Sequence, residues 1–293
     1  MAIKISPSRR VFLFINMFLL ITISLISLLP LMHVFAQSFS SSTAIDAGDV
    51  AFLPVELTLE NFMFVFRDSS ILRAYGVTIF LTVFGTLFNL LATASLAYPL
   101  SRKEFLGRKY ILLMVLFTMI FSAPLIPTFL VVQGLGLLDT IWALIFPSAI
   151  SAFNLFVMRS FFISIPDDLI DAARIDGLGE IRILFQVVLP LSKPALATLG
   201  IFYAVAHWNS YFQALMFIEN QKLYPLQIKL RQMIVEDTFT NDPSADFYQS
   251  MLQTSPEGIK MATIVVATVP ILLIYPFLQR HFVKGFMLGS LKD

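Results

Sequence analysis

Six long apolar stretches constrain the fold of this chain more than any other feature. A helix that crosses a bilayer needs about 20 mostly apolar residues. The chain is 57% hydrophobic and only 13% charged, whereas a soluble domain has about 25% charged residues. The sequence therefore predicts an all-α integral membrane protein with six transmembrane helices, at about Val11–Phe35, Ala74–Leu100, Tyr110–Val132, Ile141–Met158, Ala195–Ile218 and Ile259–Gln279.

The distribution of lysine and arginine predicts the orientation. One side would hold the N-terminus, the loop 101–109, the segment 159–194 and the tail 280–293, with fourteen basic and seven acidic residues, a net charge of +7. The other side would hold the loops 36–73 and 219–258 together with Asp139 and Lys260 at neighbouring span ends, with six basic and twelve acidic residues, a net charge of −6. Because positively charged loops stay in the cytoplasm, both termini are predicted to be cytoplasmic. The first apolar stretch is too long for a cleaved signal segment of roughly 7–15 apolar residues, so we expect it to be retained.

The apolar stretches lack the groups that several classes of membrane protein need. Apart from Lys260 at the edge of the sixth stretch, no Asp, Glu, Lys or Arg lies inside them, whereas ion-coupled transporters usually need ionisable groups at depth. The chain has no phosphate-binding loop of the G-x-x-x-x-G-K-[ST] type, no G-x-S-x-G or H-E-x-x-H motif and no cysteine. We therefore expect no ATPase, other catalytic site, metal or cofactor in this chain. A transport function would have to be driven from outside the polypeptide.

The segment 159–194 is a polar, helix-forming insertion between the fourth and fifth stretches. Ser164, followed by Pro166 and Asp167, predicts a helix start, and Gly177 predicts its end in the left-handed conformation. A second helix is predicted at Glu180–Val188, ending at Leu189-Pro190. The sequence thus predicts a cytoplasmic helix-turn-helix between spans four and five.

This insertion carries a recognisable pattern. The permease subunits of ABC importers share the motif E-A-A-x3-G-x9-I-x-L-P, and this chain has Asp171-Ala172-Ala173, Gly177, Val187 and Leu189-Pro190 at matching spacing. Asp replaces Glu at position 171 and Val replaces Ile at position 187. The chain therefore resembles an ABC-importer permease, with the whole of residues 1–293 forming one transmembrane domain. An amphipathic loop lying on the membrane surface is the alternative reading of the segment.

The resemblance implies that the helix-turn-helix docks on partner ATPase subunits, which bind ATP and Mg²⁺. The coupling residues it implies are Asp167, Asp168, Asp171, Ala172, Ala173, Arg174, Asp176, Gly177, Leu189 and Pro190. It also implies a second, homologous permease subunit, a dimer of ATP-binding subunits, a periplasmic solute-binding protein and location in the bacterial inner membrane. Nucleic acid is not an expected partner.

Two further stretches resemble the shorter membrane subunit of maltose-type sugar importers: Trp208-Asn209 and the C-terminal tail. In that subfamily the tail reaches the interface of the ATPase dimer, which implies this role for Lys284, Gly285, Gly289, Ser290 and Lys292; a frayed terminus is the alternative. The stretch 207–213 looks most like permeases for polymer-derived saccharides, especially the second membrane subunit of alginate importers. The resemblance therefore implies an oligosaccharide substrate, with alginate oligomers first.

Polar side chains within the apolar stretches are candidates for a water-filled path, because they cost free energy in lipid unless paired or wetted. The candidates are Asn89, Asn154, His207, Trp208, Asn209, Tyr211, Phe212 and Gln213. Alternatively, the amides bond neighbouring helices and the aromatics form an interfacial belt. The loop 219–258 could contact a binding protein or cap the membrane surface.

These expectations combine into one leading function, the ATP-driven, binding-protein-dependent import of oligosaccharides by alternating access. Import of another sugar, or of an amino acid or peptide, remains an alternative. An ATP-independent secondary transporter or channel is less consistent with the absence of buried carboxylates, and no catalytic constellation supports a membrane enzyme or signalling subunit.

Overall fold

The computed structural model describes residues 7–121, 123–235 and 254–289, and the described residues form helices and connecting turns without a strand. The long helices are α1 (Pro7–Ser38), α4 (Ser69–Ser101) and α13, which begins at Pro256 and reaches Gly289. Within the described residues these three are long and apolar enough to cross a membrane. They coincide with the first, second and sixth predicted spans. The all-helical fold class is thus confirmed for the described residues, with three helices long and apolar enough to cross a membrane.

The shorter helices fill the rest of the chain. They are α2 (Ser42–Asp46), α3 (Glu60–Arg67), α5 (Arg108–Ile120), α6 (Leu125–Gly134), α7 (Ala152–Ile163), α8 (Asp167–Ile175), α9 (Glu180–Leu191), α10 (Lys193–Trp208), α11 (Phe212–Phe217) and α12 (Leu226–Val235). Helices α9 and α10 meet at a bend of 87°, and together they pass as a fourth apolar span.

The third and fourth predicted spans differ from continuous helices. In the third, α5 ends at Ile120 and α6 starts only after Pro124, which lacks an N–H and disfavours helical backbone in the residue before it. In the fourth, a 3₁₀ turn at Ile141–Leu144 is followed by Pro147, and the α-helix begins at Ala152. The Ser151 side chain accepts a hydrogen bond from the Asn154 N–H at this helix start.

Two compact units divide the chain. The first comprises residues 1–72 and 232–269. In it the Asn61 amide donates to the backbone carbonyls of Ser38 and Ser40, and Ser255 bonds Ser42 and Asp46. These contacts fix the residues that follow α1 to the start of α13.

The second unit comprises residues 73–231 and 270–293 and has two apolar clusters. One joins the C-terminal half of α4 to α7, α8, α9 and α10, with Leu100, Met158, Phe162, Ile170 and Ile183 among its fully buried side chains. The other surrounds the π turn Leu81–Gly85 of α4 and includes Leu144, Ile145 and Phe217. The first cluster anchors the helix-turn-helix, and the second lies beside the polar cavity described below.

Candidate functional site

The helix-turn-helix between α7 and α10 has the predicted turn. Gly177 has φ +82°, its N–H donates to the Arg174 carbonyl, and the Leu178 N–H donates to the Ala173 carbonyl. This pair of bonds is a Schellman motif, which closes a helix through a left-handed residue. Asp167 and Asp168 lie in the first turn of α8, where they complement the helix dipole.

One local prediction about this segment is corrected and another is confirmed. Ser164 does not start α8: its hydroxyl donates to the Phe161 carbonyl and it caps the end of α7 instead, while Pro166 takes the N-cap position of α8. The second predicted helix is present as α9, which ends at Leu191, one residue beyond Leu189-Pro190. A π turn at Leu184–Val188 lies within it, two residues before Pro190.

The predicted coupling residues form an outer surface and an inner face. Ala173 and Ile170 are buried against the cluster, whereas Asp171, Ala172, Arg174, Asp176 and Gly177 are exposed, as are Asp167, Asp168 and Pro190, with Leu189 half-buried. Large apolar side chains are exposed on the same segment: Ile175 is 87% exposed and Ile181 is 75% exposed. Large apolar side chains left exposed beside the charged residues of α8 are consistent with an interaction surface.

The C-terminal end of α4 holds this segment at two points. The Tyr98 hydroxyl donates to Glu180 Oε2 at 2.6 Å, and Arg174 Nε donates to Glu180 Oε1 at 2.9 Å. Hydrogen bonds from Tyr98 and Arg174 lower the pKa of Glu180 against a smaller opposing effect of burial. The carboxylate thus stays charged and bridges α4, α8 and α9.

The second point is Arg102, whose side chain is only 8% exposed. Its guanidinium donates to Asp167 Oδ1 at 3.3 Å and to the Phe162 carbonyl at 2.9 Å. Nearby, Arg159 Nε donates to the Leu100 carbonyl at 2.8 Å. None of these contacts was predicted, because residues far apart in sequence form them and only the folded chain brings them together.

A polar cavity of about 570 Å³ lies where α4, α7 and α10 meet the turn after Trp208. It brings together seven of the eight predicted path residues: Asn89, Asn154, His207, Asn209, Tyr211, Phe212 and Gln213. The remaining one, Trp208, is buried elsewhere with its ring edge-on to Tyr75, at 5.8 Å between centroids. Residues that were not predicted also line the cavity: Ser148, Ser151, Phe153, Phe202, Tyr203, Ala206 and Ser210.

Hydrogen bonds hold one wall of the cavity in place. The Asn89 amide nitrogen lies 3.1 Å from His207 Nε2 and donates to the Ser148 carbonyl at 3.2 Å. Tyr203 shares a 2.7 Å hydrogen bond with Thr93 and accepts from the Ser151 N–H. Ser151 and Tyr203 could have been predicted as cavity residues, because they are polar residues within apolar stretches and their hydroxyls need hydrogen-bond partners in lipid.

Two buried polar atoms of the lining have no hydrogen-bond partner among the described residues. They are Asn89 Oδ1 and Ser210 Oγ. A buried acceptor or hydroxyl without a partner costs about 1–3 kcal/mol. Both atoms have almost no accessible surface, so water or a ligand hydroxyl would reach them only after the wall of the cavity moves.

The C-terminal tail prediction can be followed only in part. Helix α13 continues through Lys284 and Gly285 to Gly289. Ser290 and Lys292 lie outside the described residues, as do residues 236–253 of the predicted external loop.

Residues 91–287 match the family of binding-protein-dependent transport system inner membrane components. The match covers more than half of the chain. The chain belongs to this family.

Two relatives match this chain over almost its full length. Protein LplC of Bacillus subtilis (strain 168) is 44% identical over 289 residues, which cover 98% of this chain and 97% of the relative. The polygalacturonan/rhamnogalacturonan transport system permease protein YtcP of the same organism is 42% identical, covering 93% of this chain and 95% of the relative. This inner membrane component thus matches its relatives as a whole chain.

A solved structure supports the fold of this inner membrane component. A chain from the crystal structure of a bacterial ABC transporter involved in the import of the acidic polysaccharide alginate superposes with a TM-score of 0.89. It is 35% identical, and the match covers 96% of this chain and 100% of that chain. The resemblance to ABC-importer permeases inferred from the coupling motif is confirmed.

Proposed function

We propose that this chain is a permease subunit of an ATP-driven ABC importer for oligosaccharides that carry uronic acids, with alginate oligomers as one candidate. The observation that carries the proposal is the kind of polymer for which two similar proteins are named. One relative is named for polygalacturonan and rhamnogalacturonan, and the similar solved structure for alginate. Both are acidic polysaccharides, and their common chemistry is a sugar ring with a carboxylate and hydroxyls.

The cavity suits a sugar by its size and lining. About 570 Å³ lies within the range of ligand pockets, roughly 300–1,000 Å³. Amide, hydroxyl and imidazole groups can bond ring hydroxyls, and Tyr211 and Phe212 offer aromatic faces to the C–H side of a pyranose. Asn89 Oδ1 and Ser210 Oγ, which have no partner among the described residues, would supply an acceptor and a hydroxyl for the sugar after the wall of the cavity moves.

The proposed topology has six spans and cytoplasmic termini. The first, second and sixth are continuous helices, the fifth starts with α10 after the 87° bend at the end of α9, and the third and fourth are built from broken segments. Broken helices at membrane depth are tolerated where they are covered by protein or line a cavity, and the residues that precede α7 line this one. The basic side of the chain then faces the cytoplasm.

The segment 159–194 is the proposed coupling surface. Its acidic residues at the start of α8 and its exposed Ile175 and Ile181 form a mixed polar and apolar surface suited to a protein partner. Two ATPase subunits would dock there, one on this chain and one on a homologous permease, and ATP and Mg²⁺ would bind to those subunits. The C-terminal tail would reach the ATPase interface, and a periplasmic binding protein would deliver the sugar.

Closure of the ATPase dimer would move α8 and α9, and the contacts of α4 determine which span follows. Glu180 and Asp167 tie both coupling helices to Tyr98 and Arg102 at the end of α4. The other part of α4 carries Asn89, which lines the cavity. A single helix therefore connects the coupling surface to the cavity wall, and its displacement would open the cavity to alternate sides.

The Tyr98–Glu180 contact predicts a loss of coupling when it is removed. Tyr98→Phe and Glu180→Gln should each lower the number of sugar molecules imported per ATP hydrolysed by up to about tenfold, because a hydrogen bond to a charged group contributes about 1.5–3 kcal/mol. The measurement is paired uptake and phosphate release in proteoliposomes holding the full complex. Tyr110→Phe, at a 70% exposed tyrosine at the start of α5, is the matched control. Unchanged stoichiometry in both variants would exclude this route of transmission.

The substrate class is tested by ATP hydrolysis in the purified complex with its binding protein. We expect stimulation by oligogalacturonates or alginate oligomers and little by maltose or arabino-oligosaccharides of equal length. Stimulation by neutral sugars alone would retain the importer and reject the acidic substrate. Uptake in liposomes without ATP would reject the ABC mechanism itself.

A further inference from the structure

The lining of the polar cavity is electrically neutral. Among the described residues it consists of Asn, Gln, Ser, His, Tyr, Phe and Ala, with no Lys, Arg, Asp or Glu. A carboxylate that leaves water needs a charged partner or several hydrogen bonds, because its desolvation is expensive. If the substrate is a uronate oligosaccharide, a cation close to this cavity would supply the charged partner that the lining itself lacks.

Arg231 of α12 is placed to supply that cation. Its guanidinium carbon lies 5.5 Å from the ring centroid of Tyr211, and Tyr211 lines the cavity. This distance is within the range of about 6 Å for a cation–π interaction. The Tyr211 ring also packs against the apolar cluster around Leu144 and Phe217, so the surface on which Arg231 rests is fixed.

The guanidinium of Arg231 remains available for a ligand. Arg231 is exposed, and no acidic side chain of the described residues forms an ion pair with it. When a guanidinium stacks on an aromatic ring, the N–H groups at its edge still point outward. Two of these N–H groups form a planar fork that can donate to both oxygens of one carboxylate. Lysine offers no such planar fork.

We propose that Arg231, held on Tyr211, recognises the carboxylate of a uronate residue at the cavity, while Asn89, His207 and Ser210 contact ring hydroxyls. This assignment rests on the proposed function and adds a specificity residue to it. In this assignment Arg231 binds the carboxylate of the substrate, and the neutral residues of the cavity bind its ring hydroxyls.

The experiment compares charged and uncharged forms of one substrate. ATP hydrolysis by the full complex with its binding protein is measured against oligogalacturonate and against its methyl ester of the same length. For each substrate, the half-saturating concentration of the variant complex is divided by that of the wild-type complex. The preference of the binding protein for one substrate then cancels from this ratio. Arg231→Gln should raise the half-saturating concentration of the acid by up to about fivefold, the size expected for an exposed ion pair.

Further measurements distinguish carboxylate binding by Arg231 from a general effect of the substitution. Arg231→Gln should leave the response to the methyl ester unchanged, and its effect on the acid should shrink as salt is raised. Arg231→Lys should be intermediate, because it keeps the charge and loses the fork. Lys222→Gln, at an exposed lysine on the same predicted external side, should behave as wild type.

The outcomes separate this proposal from the one on which it rests. A wild-type complex that responds to the acid while Arg231→Gln changes acid and ester equally, or changes neither, would overturn the role of Arg231 and leave the proposed function intact. A wild-type complex that ignores the acid altogether would overturn the proposed acidic substrate, and the role of Arg231 with it.

Discussion

Gly177→Val should reduce substrate-stimulated ATP hydrolysis by the assembled importer by about tenfold. Gly177 has φ +82°, a conformation that costs an L-residue about 1–2 kcal/mol and that a β-branched residue rarely adopts. No atom lies within 4 Å of a Cβ added there, so the effect comes from backbone strain and not from a clash. The strain would be relieved by opening the Schellman turn, which separates α8 from α9 on the coupling surface.

Two variants in the same turn isolate this cause. Gly177→Asn should retain most of the stimulation, because asparagine tolerates the left-handed region. Gly179→Ala should behave as wild type, since Gly179 has an extended backbone with φ −75° and open space around it. Stimulation and uptake are measured together with the amount of ATPase that copurifies. Full stimulation in Gly177→Val, with normal copurification, would show that this segment is not the coupler.

The turn at Gly177 shows what the sequence predicts well. Its helix, its left-handed glycine and the helix after it are local features, determined by residues within a few positions of each other. Ser164 was assigned wrongly, because its hydroxyl bonds the Phe161 carbonyl and caps the end of the preceding helix. A residue that lies between two helices can cap either of them, and local propensity does not determine which one it caps.

The cavity shows where sequence reasoning weakens. Polarity within apolar stretches identified Asn89, Asn154 and the residues around Asn209, and the structure gathers them around one space. Trp208 was assigned with them by proximity along the chain, yet it is buried against Tyr75 because α10 ends there and neighbouring side chains point differently. Arg231 follows Tyr211 by twenty residues and was not selected. Its position depends on the packing of α12, which no local pattern reveals.

Gly85→Ala should lower the sugar-stimulated activity of the complex by about tenfold while much of the protein still folds. A Cβ at Gly85 would lie 2.6 Å from His207 Nε2 and 2.8 Å from His207 Cε1. The imidazole is 4% exposed and is bonded to Asn89, so it has little room to move. Overpacking of this kind typically costs about 1–3 kcal/mol. The ring would shift, the Asn89–His207 bond would break, and the wall of the cavity would change shape.

Gly76→Ala is the control, because Gly76 lies in the same helix and has nothing within 4 Å of an added Cβ. The double variant Gly85→Ala/His207→Ala removes the obstructing ring, so it should recover the thermal stability lost in Gly85→Ala without recovering import. With His207→Ala alone as the remaining member, the double-mutant cycle measures the contact between the two positions directly. Equal loss of stability in Gly76→Ala, or no recovery in the double variant, would mean that the contact with His207 is not the cause. If the double variant regains stability but not import, as we expect, the clash with His207 explains the loss of stability. The His207 imidazole would then be needed for import itself.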